Sequence, residues 1–173
     1  MYTDADKKMM MATVRTAGAV GTNAILPRIL KTMIEKDWAV LDYGSGPKAI
    51  QTMALRDEGY NVVAHDVNPE KTMWHIDTRM NSYQEQFDVI FASNVLNIQP
   101  ADVCVDDVAR EVCHMLRHYS FALFNYPTSP RKVDLTVAEI DGILKDNFQD
   151  VERIRQINNW KISTPVWKCK KGG

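Results

Sequence analysis

The chain has no excess of charge of either sign. Its 21 Lys and Arg stand against 22 Asp and Glu, a formal net charge of −1. There is thus no global basic field to hold a nucleic-acid duplex, and a DNA or RNA substrate would need a local patch. Cysteine is scarce. Cys104, Cys113 and Cys169 stand at unrelated spacings that form neither a metal-ligand motif nor a disulfide framework. Reduced thiols and a cytoplasmic location are the expectation. No apolar run approaches the length of a membrane span, and the acidic, methionine-rich start does not read as a signal peptide. Internal repeats and low-complexity tracts are also missing. What is present is an ordinary globular composition, 45% hydrophobic and 25% charged over 173 residues. That suits one domain with a sizeable core.

The most informative stretch is Ala39-Val40-Leu41-Asp42-Tyr43-Gly44-Ser45-Gly46-Pro47-Lys48. Three apolar residues in a row read as the end of a buried parallel strand. Gly44 and Gly46 let the backbone turn tightly and approach a ligand with no Cβ in the way. From Pro47 onward Ala49, Ile50, Met53, Ala54 and Leu55 have helical spacing, with the proline expected in the first turn and a stop at Gly59. Strand, glycine turn and helix N-terminus make a site whose backbone N–H groups face an anionic group. Gly44 to Ala49 also fits the dinucleotide fingerprint of two glycines and a third small residue. Asp42 favours another ligand, because a carboxylate beside the turn suits an ammonium and a sulfonium better than a pyrophosphate. Further on, Asn61 to Asp66 reads as a second strand ending in an acid. Asp66 can accept hydrogen bonds from two ribose hydroxyls, or cap the next helix; the two roles are compatible.

Leu41-Asp42-Tyr43-Gly44-Ser45-Gly46 resembles the first motif of the class I S-adenosylmethionine-dependent methyltransferases. The resemblance runs from about Trp38 to Lys170. It implies cofactor contacts from Asp42, Tyr43, Gly44, Ser45 and Gly46, and from Asp66-Val67 at the second strand end. In that family an acid about a dozen residues before the fourth strand bonds the adenine amino group, which points to Asp77, with Thr78 following it over the ring. The run Phe87 to Asn97 resembles the fourth motif, placing Ser93, Asn94 and Asn97 near the sulfonium. For Asn97, turn or capping chemistry is the alternative. The Pro-Cys nucleophile of cytosine-carbon methylation is absent there, as is the Pro-Pro-aromatic motif of base-amine methylation. The compact size and the Ser-Asn-Val-Leu-Asn strand end resemble small methyltransferases of phage or defence-associated type.

The implied fold is α/β: a Rossmann-like, doubly wound sheet of seven strands, mostly parallel, closed by a C-terminal antiparallel hairpin. Strands Val151 to Ile157 and Ile162 to Lys168, joined through Asn158-Asn159, would form that hairpin. Helical sequence over residues 4–36 precedes the core, interrupted at Gly18 and Gly21, with a second helix from Asn23 to Lys36. This divides one methyltransferase domain into a helical cap (1–36) and a core (37–173). Glycines at Gly18 and Gly21 make the break from Arg15 to Asn23 a candidate lid. Helices Ala101–Arg117 and Val137–Phe148 flank a strand Tyr119–Asn125. His114 and His118, one helical turn apart, fit helix C-terminal charge complementarity better than a metal site. The loop Asn125 to Lys132, with an exposed Tyr126 and the cations Arg131 and Lys132, borders the crevice.

Asn97, Tyr126 and Arg131 are therefore the candidates for catalysis, and no metal is expected. The cofactor expected is S-adenosylmethionine. The acceptor expected is a small polar molecule or a nucleotide rather than extended nucleic acid or a membrane. Two rival readings are a protein that senses or degrades S-adenosylmethionine without methyl transfer, and an NAD-dependent oxidoreductase on the same turn.

Overall fold

In the computed structural model, residues 2–16, 24–67, 74–76, 83–129 and 131–173 are described. The apolar run before the glycines forms β1 (Val40–Tyr43), and α3 (Ile50–Asp57) follows the turn. Strands β2 (Val62–His65), β3 (Phe87–Ala92) and β4 (Leu116–Asn125) lie parallel to β1. Near the C-terminus β8 (Val166–Lys170) runs antiparallel between β4 and β5 (Asp150–Arg153). The sheet order is β2-β1-β3-β4-β8-β5. Among the described residues the sheet has six strands where seven were expected. The seventh position holds a single parallel bridge, in which Ala64 N–H donates to Trp74 O at 2.9 Å and Ile76 N–H to Ala64 O at 2.8 Å.

The expected C-terminal hairpin is interrupted as well. β5 pairs with β8, while β6 (Gln156–Ile157) and β7 (Trp160–Lys161) form a separate two-stranded ribbon around Asn158-Asn159. Between the two ladders Ile154-Arg155 faces the longer stretch Ile162 to Val166, so the strands cannot stay in register. Pro165, without an N–H, sits in that stretch, and Ile154 and Ile162 turn into the core.

Alternation along the strands divides the core into two layers. On one face Val40, Val62, Val89, Phe91 and Leu123 pack with Leu26, Ile29 and Leu30 of α2 (Ile25–Leu30) and Leu55 of α3. On the other, Leu41, Ile90 and Ala122 pack with α4 (Asp102–Met115), through Val105, Val108 and Val112, and α5 (Val137–Asn147), through Ile140 and Leu144. Each such side chain, once fully buried, contributes roughly 2 kcal/mol.

Several helix bounds differ from expectation for local reasons. α2 stops at Leu30, where the Thr32 hydroxyl donates to Ile29 O at 2.7 Å and competes with the helical ladder. α3 starts at Ile50 rather than Pro47 because Ala49 takes a left-handed conformation, φ 49°. α4 ends at Met115 and β4 begins at once, so His114 and His118 do not share a helix; His118 pairs with Glu85 at 2.9 Å. α5 opens on a capping box between Thr136 and Glu139. α1 (Asp4–Thr16) precedes these elements, and no helix among the described residues is long and apolar enough to cross a membrane.

Candidate active site

The buried polar or charged side chains among the described residues are Asp42, Gln51, Thr52, His65, Ser93, Asn97, Gln99 and Asn125. Asp42, His65 and Asn125 stand at the C-terminal ends of β1, β2 and β4. Ser93, Asn97 and Gln99 follow β3, and Gln51 and Thr52 lie in the first turn of α3. All eight therefore gather along one edge of the parallel sheet. Burying polar groups is costly unless they are paired or used, and ligands of open α/β sheets bind outside the carboxyl ends of the strands.

The glycine turn lies at the centre of this edge. Gly44 and Gly46 have φ of 73° and 76°. The Gly44 and Ser45 N–H groups both donate to His65 O, at 2.8 and 3.0 Å, which pins the turn to β2. A Cβ on Gly44 would stand 2.4 Å from Val95 Cγ2, whereas one on Gly46 would meet nothing within 4 Å. The turn is therefore packed tight beneath Gly44 and open beside Gly46. Asp66 Oδ2 accepts from Gly46 N–H at 2.9 Å, so the second acid does reach the glycine turn. Ser45 Oγ donates to Gly46 O at 2.9 Å and stands 3.3 Å from His75 Nε2. His75 comes from the edge bridge, a neighbour that the sequence did not single out. Val67, half-buried, follows Asp66 in a bend; Asp77 and Thr78, and residues 17–23 of the candidate lid, lie outside the described residues.

Two acidic side chains flank β1 on opposite faces. Asp42 is 1% exposed and accepts from Thr52 Oγ1 at 2.8 Å. Burial pushes its carboxyl up to about 7, with the nearby Asp66 charge adding to the rise and the Thr52 hydrogen bond opposing it. The sequence placed this carboxylate beside the turn. Asp42 instead lies beneath the turn, because β1 directs it toward α3. On the other face the Tyr43 hydroxyl donates to Glu111 Oε2 at 2.6 Å, and the ring stacks at a tilt on His65, centroids 5.1 Å apart. Burial and the Glu111 charge push the Tyr43 phenol well up.

The ends of β3 and β4 are clasped by a reciprocal amide pair. Asn94, left-handed at φ 57°, donates its N–H to Asn125 Oδ1 at 2.7 Å, and Asn125 Nδ2 donates to Asn94 Oδ1 at 2.7 Å. Ser93 is buried beside Gln51, and the Asn97 carbonyl accepts from Lys132 N–H at 2.7 Å. Tyr126 corrects an expectation: it is fully buried, not exposed. Its ring fills the core under α5 and its hydroxyl donates to Leu135 O at 2.7 Å. Arg131 lies 3.9 Å above that ring and donates to Pro127 O at 2.9 Å, so its charge braces the loop. Opposite, the Tyr2 hydroxyl before α1 donates to Gln99 Oε1, and Gln99 Nε2 donates to Val95 O at 2.8 Å.

No protein-family model and no curated protein matches the sequence. Solved structures do. A TehB-like S-adenosylmethionine-dependent methyltransferase from Corynebacterium glutamicum superposes with a TM-score of 0.66 at 12% identity, over 98% of both chains. The fold is that of the S-adenosylmethionine-dependent methyltransferases. The 1,6-didemethyltoxoflavin N1-methyltransferase of Burkholderia thailandensis, solved with its substrate and S-adenosylhomocysteine, gives 0.65 at 16% identity over 98% of this chain and 88% of its own. Magnesium protoporphyrin IX methyltransferase from Synechocystis, solved with S-adenosylmethionine, gives 0.57 at 12% identity over 99% and 86%. In the methyltransferase fold of this chain, the glycine turn, Asp66 and the amide clasp share one strand edge. At these identities the likeness carries the fold and no narrower type.

Proposed function

We propose that the chain is an S-adenosylmethionine-dependent methyltransferase acting on a small polar molecule or a single nucleotide. The observation that carries this reading is the gathering of buried polar side chains along the strand edge around a glycine turn that is open beside Gly46. The fold neighbours named above support it. The residues fit the cofactor: Asp66, beside the glycine turn at the end of β2, would accept from the ribose hydroxyls, and Asp42 and Glu111 would supply negative charge on either side of β1 for a cation above the turn. When bound, the cofactor supplies an activated methyl group on a good leaving group, so the chain has chiefly to align the partners and exclude water.

With Tyr126 and Arg131 committed to the loop, the acceptor is read as entering over the Asn94–Asn97 strand end from the α1 side, where Tyr2 meets Gln99. Its heteroatom then faces amides, a phenol and the Glu111 carboxylate, a lining suited to a polar donor-bearing molecule. A net charge of −1 supplies little affinity for a duplex.

Calorimetric titration with S-adenosylmethionine tests the first half of the proposal. Wild type is expected to bind it and to ignore NAD, while Gly44→Asp loses binding because its side chain would collide with Val95 at an unfavourable φ. Absence of wild-type binding overturns the reading. A radiolabelled methyl-transfer screen over metabolites, nucleotides and protein extract tests the second half. Cofactor consumption with no labelled acceptor would instead identify a protein that degrades S-adenosylmethionine.

A further inference from the structure

Gln51 on this edge has an unsatisfied side-chain oxygen among the described residues. Gln51, second residue of α3, is 6% exposed, and its Nε2 lies 3.5 Å from Ser93 Oγ. Its Oε1 is buried and has no hydrogen-bond partner among the described residues. The next residue, Thr52, shows the contrast, since its hydroxyl is fully used by Asp42. A buried carbonyl without a partner is destabilising, and native structures keep such groups mainly where something else bonds them. Exchanging the amide's O and N would not remove the problem: one end would face Ser93 and the other would still lack a partner.

The sheet order tells which part of a ligand comes here. β1 lies between β2 and β3, so Asp66 and Ser93 stand on opposite sides of the glycine turn. In a donor molecule whose ribose meets Asp66, the adenine and the cationic amino-acid end leave the ribose in opposite directions, and the carboxyl groups of Asp42 and Glu111 on either side of β1 favour the cationic end crossing β1 toward β3. We infer that Gln51, held by Ser93, is a binding residue for the amino-acid end of S-adenosylmethionine, its Oε1 accepting from the α-ammonium. The assignment rests on the methyltransferase reading. It gives the first turn of α3 a task distinct from the backbone cradle of the glycines.

The test compares three ligands by calorimetry: S-adenosylmethionine, S-adenosylhomocysteine and methylthioadenosine, which lacks the amino-acid end. Gln51→Leu is expected to weaken the first two about tenfold or more, the usual worth of a hydrogen bond to a charged group. Methylthioadenosine affinity should stay within about twofold. The same variant should melt at a higher temperature without ligand, because an orphan carbonyl has been replaced by an apolar group. Gln51→Glu, which keeps an acceptor for the ammonium, should bind S-adenosylmethionine more tightly than Gln51→Leu and checks the case where the leucine variant misfolds. Unchanged affinities, or equal losses for all three ligands, overturn the assignment. A wild type that binds none of the three overturns the methyltransferase reading and this assignment with it.

Discussion

Asp42 shows how one buried carboxyl couples stability to ligand binding. In the folded chain it titrates near 7 instead of the ordinary 3.8, because burial disfavours the charged form. Between those values the folded state holds a proton that the unfolded state has released. Stability from this group is therefore fully present below about pH 4 and lost as pH rises through 7. Asp42→Asn, which can still accept from Thr52, should flatten that part of the stability profile. Cofactor affinity should change in the opposite sense, since a nearby sulfonium and ammonium favour the ionised carboxylate. Wild-type affinity is expected to fall as pH drops below about 7, by up to about tenfold per unit. Titrations at pH 5.5 and 8 on wild type and Asp42→Asn check this; an identical pH dependence in both would remove Asp42 from the account.

At the scale of elements, the loop from Tyr126 to Lys132 is a brace. Tyr126 fills the core, Arg131 lies across its ring, and Lys132 N–H joins the loop to Asn97 O. Removing the ring leaves a cavity, whereas removing only its hydroxyl leaves the Leu135 carbonyl short of a donor. Tyr126→Ala should thus cost about 3–5 kcal/mol of stability and Tyr126→Phe about 1 kcal/mol, measured by denaturant unfolding. Tyr126→Phe should keep methyl transfer close to wild type. A large loss of turnover in a stably folded Tyr126→Phe would return the residue to the catalytic machinery.

For the molecule as a whole, the proposed donor site spans β2, β1, β3 and the start of α3, so ligand binding would tie together segments far apart in the sequence. A ligand that binds only the native state stabilises it by mass action, about 2.7 kcal/mol at 100 times Kd. For a domain of this size that corresponds to a rise in Tm of roughly 5–10 °C. S-adenosylmethionine should produce such a shift in a thermal melt and NAD should not. A shift with NAD alone would favour the dinucleotide reading of the same turn.

What the sequence determined by itself was local in origin. The strand, glycine turn and helix of residues 40–57 follow from apolar runs, glycine backbone freedom and helical spacing, all within one short segment. Asp66 was legible because a β-α-β crossover has a nearly fixed length, and the structure sets it on the Gly46 N–H. Tertiary structure decided the rest, since the pairs involved are far apart in sequence. Tyr43 meets Glu111, Asn94 meets Asn125 and Tyr2 meets Gln99 only because parallel strands bring their carboxyl ends to one edge. No periodicity encodes such partners. Tyr126 was misread for the same reason: a polar, proline-containing loop predicts exposure on average. A single aromatic ring there reverses its direction when the neighbouring helix α5 leaves apolar space for it and a backbone carbonyl for its hydroxyl.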